Sequence, residues 1–223
     1  MSSPPTLHRT AHRAAVHTRP ASVRDYPAIR RIISAAYAQY EVPLGVLLYR
    51  RYLADLLDID RHARDGQLIV AEVGGLVRGS GAFYPDSSLQ GLGWPSGWAG
   101  GRALAVHPAA RRDGVARALL AACERLAREN QTPVFAFHTA SVMTGAITLY
   151  ERLGYCRAPE FDQDLATHFA VAPGRRVLAL AYRRDLAETD VLLTCEPSSR
   201  IGPPSDTTPQ TQIQAHAQIR NAS

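Results

Sequence analysis

Apolar positions recur along this chain with two periods, and the places where the period changes mark its elements. Residues 15–18 read as a short strand. Ser22, with Asp25 three residues on, then opens a helix to about residue 40 in which Ile29, Ile32, Ile33 and Ala36 share one face. A second helix is predicted over roughly 45–57, after Pro43. Two strands follow, 67–73 and 76–84, and Gly74-Gly75 between them makes a hairpin. The Gly-, Pro- and Ser-rich stretch 85–97, with Trp94 inside it, predicts a long mobile loop. Next come a strand over 98–106 and a helix over 115–129, whose Val115, Ala118, Leu119, Ala122 and Leu126 form a stripe. A strand at 133–137, a helix at 144–153 ended by Gly154, a short strand at 155–157 and a last strand at 176–182 complete the pattern. The order is strand, two helices, three strands, helix, strand, helix, two strands. It predicts an α/β fold of the α+β kind, one central mixed sheet with helices on both faces.

Both ends depart from this pattern. Residues 1–14 mix Ser, Thr, Pro, His and Arg without an apolar run, and predict a disordered tail with no secretory signal, although an Arg-rich, acid-free start also resembles an organelle presequence. From residue 185 to 223 the chain is acidic and then Pro-, Thr- and Gln-rich, a flexible appendage. Between them, residues 15–184 make one domain. A hydrophobic content of 46% suffices for its core, and no run approaches the ~18 apolar residues that cross a bilayer, so a cytoplasmic protein without membrane contact is expected. Cys123, Cys156 and Cys195 lack metal-like or disulfide-like spacing, which points to a reducing compartment, no disulfide and no metal. All 25 basic residues are arginine and the net charge is +5, which raises nucleic acid as a partner. The arginines are scattered among acids rather than clustered with aromatics, so no nucleic acid is expected.

One stretch concentrates chemistry. Residues 104–116 read L-A-V-H-P-A-A-R-R-D-G-V-A, a strand stopped by Pro108, then two arginines and a glycine that opens a helix. Arg111 and Arg112 supply positive charge, and Gly114 lets the backbone turn tightly with no Cβ in the way. The helix from Val115 presents unpaired N–H groups at the positive end of its dipole, which predicts a phosphate site.

With L-A-V-x-P before that loop and A-I-T-L-Y-E-R-L-G-Y at 146–155 after it, residues 15–184 resemble the GNAT acetyltransferase superfamily. The pairing of H-T-x-x-x-M at 138–143 with L-Y-E-R-L-G resembles a bacterial branch of it. The resemblance implies a GNAT-like fold and acetyl-CoA as cosubstrate, with no metal. It implies that main-chain groups of Leu104, Ala105 and Val106 hold the pantetheine arm as an added strand. The Val106 N–H would face the thioester carbonyl, and Arg111, Arg112, Asp113, Gly114, Val115 and Ala116 would cradle the pyrophosphate, with Arg117 in the first turn near a phosphate. Tyr150 would be the general acid that protonates the departing thiolate. The function implied is direct transfer of acetyl from acetyl-CoA to a primary amine on a small molecule or peptide, with no covalent enzyme intermediate. The alternative is a non-catalytic acyl-coenzyme A sensor built on the same cleft. Homodimer formation is left open.

Two positions depart from the family pattern. Met143 stands where many relatives carry Asn, and reads as a marker of the branch. The strand W-A-G-G-R at 98–102 lacks the glutamate that family members often use as general base. A lysine amine, with a pKa near 10.4, carries a deprotonation penalty of roughly 4 kcal/mol near neutral pH, so that absence favours an acceptor of lower pKa or a base elsewhere. His138 and Glu41 are the candidates for such a base, and Tyr37, Tyr40, Trp94 and Asp162 are expected to line the acceptor pocket.

Overall fold

The computed structural model describes residues 15–172 and 176–186, so both tails, save Asp185 and Leu186, lie outside the described residues. Among the described residues eight strands form one sheet: β1 (Val16–Pro20), β2 (Gln67–Val73), β3 (Leu76–Tyr84), β4 (Ala99–Val106), β5 (Val134–Ala140), β6 (Cys156–Arg157), β7 (Gln163–Asp164) and β8 (Leu178–Asp185). Their order is β1-β2-β3-β4-β5-β8-β6, with β7 also on β8, and every pairing is antiparallel except β4 with β5. The helices are α1 (Tyr26–Tyr37), α2 (Glu41–Leu44), α3 (Val46–Leu57), α4 (Ile59–Asp65), α5 (Val115–Glu129), α6 (Thr144–Arg152) and α7 (Leu165–His168). None is long and apolar enough to cross a membrane. The predicted mixed sheet with helices on both faces is what forms.

Strand alternation sorts the core into two layers. Leu68, Val70, Ala82 and Tyr84 point to the face covered by α1 and α3, where Ile29, Ile33, Leu48 and Leu56 are buried. Ile69, Ala71 and Phe83 point to the other face and meet Val115, Leu119 and Cys123 of α5. The start of the first helical region is built as its sequence predicts: Asp25 accepts a hydrogen bond from the Ser22 N–H at 2.7 Å and closes a capping box.

Several features differ from the expectation, the short β7 and α7 among them. α4 was not foreseen; Asp58 caps it by accepting from the Arg61 N–H at 3.2 Å, and seven residues are too few to show a helical period. β5 runs to Ala140 and β8 occupies 178–185 because each completes its ladder against the other. The 85–97 stretch is pinned rather than loose. Ser87 bonds the Trp98 carbonyl through its N–H and its hydroxyl, Asp86 accepts from Ser88, Ser96 and Gly97, and Leu92 and Trp94 are buried. Cys156 is disulfide-bonded, which corrects the expectation of a chain without disulfides; Cys123 is free and buried, and Cys195 lies outside the described residues.

The α5 helix is held against the sheet at one glycine. A Cβ on Gly79 of β3 would overlap the Val115 side chain, and would lie 3.0 Å from Leu119 and 3.2 Å from the Ala105 carbonyl. Gly79→Val is therefore expected to lower stability by about 1 to 3 kcal/mol, read as a drop in Tm, because α5 must lift from the strand that it positions.

Candidate active site

The site begins at a break in the sheet. β4 and β5 pair only through Ala99 to Phe135, Gly100 to Ala136 and Gly101 to Phe137, and then part. An extra residue in β4 drives the parting: Ala105 and Arg102 face Ser80 and Ala82, so three steps on β4 match two on β3, and Ala103 takes a φ of 51°. A cleft of about 1020 Å³ fills the opening.

The antiparallel ladder decides which groups of β4 face that cleft. The His107 N–H bonds the Arg78 carbonyl at 2.8 Å, so residues 107 and 105 turn toward β3 and Val106 turns its N–H and C=O away from it. The Leu104 carbonyl also points outward, and accepts the Tyr37 hydroxyl at 3.1 Å. Leu104, Ala105 and Val106 all line the cleft, an open strand edge of the kind that binds an extended amide-bearing chain.

At one end of the cleft lies the N-terminus of α5. Arg112 and Gly114 adopt left-handed φ values of 68° and 86°, and the first helical bond runs from the Ala118 N–H to the Gly114 carbonyl, so the N–H groups of Val115, Ala116 and Arg117 precede the ladder. Arg111, Arg112, Gly114, Ala116 and Arg117 line the cleft. Val115 is buried beneath it and Asp113 is not on its wall. Arg111 does more than face a ligand: its guanidinium crosses to α1 and bonds the Ala36 carbonyl and the Gln39 side chain, each at 3.3 Å. Arg152, at the end of α6, lines the cleft too, and sequence reasoning passed over it inside the motif Y-E-R-L-G.

Tyr150 sits deeper, on α6. Its ring packs edge-on against Phe137 at 4.5 Å and beside Tyr155 and Tyr182, while its hydroxyl makes no hydrogen bond among the described residues. Burial, followed by nearby Tyr52, Tyr40 and Tyr182, pushes its pKa well above the ordinary phenol value. Tyr37, Tyr40 and Tyr52 complete an aromatic wall, with Tyr37 edge-on to both neighbours.

Other candidates fall elsewhere. His138 borders the cleft, but its Nε2 bonds the Phe161 carbonyl at 2.8 Å and its Nδ1 is buried with no partner among the described residues. Burial, more than any neighbour, pushes its pKa down to about 4. Its ring packs on Trp94, 4.4 Å away, within an apolar cluster that includes Trp98 and Phe161. Trp94 therefore does not line the pocket. Asp162 is also structural: it pairs with Arg157 at 2.7 Å and accepts the Ala181 N–H. Glu41 is exposed and off the cleft wall. His168, which sequence reasoning did not single out, lines the cleft, and burial followed by Arg102 lowers its pKa.

Among known proteins, the model of the Acetyltransferase (GNAT) family matches residues 28–155. No curated protein matches the sequence significantly. Solved structures share the fold. The yncA protein of Salmonella typhimurium, solved with acetyl-CoA, is 21% identical with a TM-score of 0.53, covering 82% of this chain and 100% of its own. The PaiA N-acetyltransferase of Thermoplasma acidophilum, in complex with coenzyme A, is 9% identical with a TM-score of 0.57, over 77% and 99% of the two chains. The ribosomal-protein-S18-alanine N-acetyltransferase of Escherichia coli is 16% identical with a TM-score of 0.53, over 81% and 99%.

Proposed function

Because this chain belongs to the acetyltransferase (GNAT) family, we propose that it transfers the acetyl group of acetyl-CoA directly to a primary amine. The observation that carries this reading is the parting of β4 from β5, which leaves the Val106 N–H and C=O, and the Tyr150 hydroxyl in the same cleft, without hydrogen-bond partners among the described residues. The cleft fits the cosubstrate in two independent ways: an open strand edge for the amide-bearing arm, and a helix N-terminus with arginines for the pyrophosphate.

In this reading the Val106 N–H donates to the thioester oxygen, where negative charge grows as the amine attacks. One such donor is worth about a hundred- to a thousandfold in rate. Leu104 and Val106 align the arm; the Leu104 carbonyl keeps a second lone pair beside the Tyr37 hydroxyl. Ala116 and Arg117 give main-chain N–H groups to the pyrophosphate, joined by the side chains of Arg112, Arg117 and Arg152, while Arg111 ties α1 to the loop. Tyr150 gives its proton to the departing thiolate. Cys123 offers no acyl-enzyme route, since burial pushes its thiol up to about 12 and keeps it protonated at neutral pH.

The base is reassigned. His138 has no nitrogen open to an acceptor, so its role is structural, and Glu41 is remote. His168 lines the cleft and is held neutral at neutral pH, so it takes the proton of the incoming ammonium.

Calorimetry with acetyl-CoA, paired with thiol release over a panel of amines, tests this reading. Binding with turnover on at least one amine is expected, and absence of binding would reject it. Gly114→Val forces a β-branched residue to a φ of 86°, and is expected to raise the Kd for acetyl-CoA about tenfold as the loop leaves that conformation.

A further inference from the structure

The acceptor end of the cleft holds a charge that acyl transfer does not itself require. Arg102 of β4 lines the cleft with its side chain only 11% exposed. It gives Asp55 one bond at 2.6 Å and Gln90 a long one at 3.5 Å, which leaves three of its five N–H donors. Asp55 meanwhile accepts from Arg61 at 2.6 Å through its other oxygen. Asp58 also meets the Arg61 Nε at 3.3 Å, so the two guanidiniums share two carboxylates, and what Arg102 keeps for the cleft is a set of unused N–H donors. The field of Arg102 reaches the surrounding groups: behind burial, it contributes to holding down the pKa values of His62, His138 and His168, and it partly offsets the rise at Tyr52 and Tyr84.

The cleft walls beyond Asp55 are largely apolar. Tyr37, Tyr40, Tyr52, Leu56, Leu92 and Phe169 form the walls, and among the described residues no Asp or Glu lines the cleft. A polyamine would bring several cations to a wall that offers Arg102 and no carboxylate. An acceptor whose amine is accompanied by an acid group supplies oxygens for the N–H donors that Asp55 and Gln90 leave free on Arg102, and a guanidinium fork matches a carboxylate.

We propose that Arg102 anchors a carboxylate of the acceptor, so that the substrate is an amine which also bears an acid group and an apolar portion, an amino acid or the equivalent end of a short peptide. This rests on the acyl-transfer reading, since it supposes that the aromatic end of the cleft receives the acceptor. Amidation of the acid changes the charge and leaves the size nearly unchanged, so it isolates the anchor.

The test uses the full chain with acetyl-CoA and four probes: phenylalanine, leucyl-phenylalanine and the amide of each. Thiol release and calorimetric binding to the coenzyme A-loaded protein are both read. The acid form is expected to exceed its amide about ten- to a hundredfold in kcat/KM or in affinity. The preferred acid separates free amino acid from peptide. Arg102→Gln should abolish the difference and Arg102→Lys should keep part of it; the wild-type comparison stands even where a variant fails to fold. Equal handling of acid and amide, or failure of both acids to bind at millimolar concentration, overturns the proposal. Arg102-dependent binding of an acid probe without thiol release keeps the anchor and rejects the transferase reading instead.

Discussion

Tyr150→Phe is expected to lower kcat by about a hundred- to ten-thousandfold while leaving the Kd for acetyl-CoA and the Tm nearly unchanged. The substitution removes one oxygen. That oxygen makes no hydrogen bond among the described residues, so no partner is orphaned. The ring contacts with Phe137 at 4.5 Å and with Tyr155 and Tyr182 persist in phenylalanine. A core role for Tyr150 would therefore give an unchanged kcat, and an acid role gives a large fall in kcat alone. Because burial holds the phenol above its ordinary pKa of 10.0, Tyr150 stays protonated through neutral and mildly alkaline pH, and no falling limb from this group should appear there. Measured kcat within about threefold of the parent would remove Tyr150 from the mechanism.

Stability should fall steeply as the pH drops from 6.5 toward 4. His62 is fully buried, its Nδ1 meets the Tyr84 hydroxyl and its Nε2 bonds the Asp55 carbonyl at 3.1 Å, so the neutral ring has both nitrogens satisfied. Burial, ahead of Arg61 and Arg102, pushes its pKa from 6.5 down to about 4. His138, satisfied at Nε2 by Phe161, is lowered to about 4 by burial as well. Between those values the unfolded chain binds more protons than the folded one, so stability is full above 6.5, declines through the window and levels off below about 4 for these groups. Each contributes on the order of 3 kcal/mol, together a large part of a typical domain's stability. Asp25 acts lower. Arg19, 2.8 Å away, holds its carboxyl below the ordinary value of 3.8, so its contribution survives this window and is lost only in stronger acid. Tm recorded between pH 7 and 4 checks the sign; a flat profile would mean that these histidines are solvated.

Most of the fold was legible in the sequence where local pattern governs it. The hairpin 67–84 appears with the bounds read from its alternation and the Gly74-Gly75 turn, and α5 spans 115–129 because its apolar stripe and Gly114 are both local properties. The tight turn before α5 was readable for the same reason, since Gly114 acts through its own backbone conformation, whereas the left-handed φ of Arg112 was not. The short elements were not. α4 and α7 have seven and four residues, too few to establish a period, and packing against β2 and β3 for α4 and against β7 for α7 supplies what propensity does not.

The sequence by itself determined the fold class, the strand before the loop, the glycine turn that opens α5 and Tyr150 on its helix. Each of these depends on residues within a few positions of one another, where period and dihedral preference act directly. Only the tertiary structure decided what each side chain of the site faces. The Tyr37 hydroxyl meets a carbonyl 67 residues away, Arg102 meets Asp55 across 47, and Arg111 leans on Ala36 across 75. Contacts of the same long-range kind sealed His138 against Phe161 and Trp94, and the packing left Glu41 and Trp94 off the cleft wall while it placed Arg102 and His168 on it. Their physical cause is the packing of α1, α3 and the 85–97 segment against a sheet split at Ala103, a geometry set by close-packed volume between distant segments, to which local sequence pattern is blind.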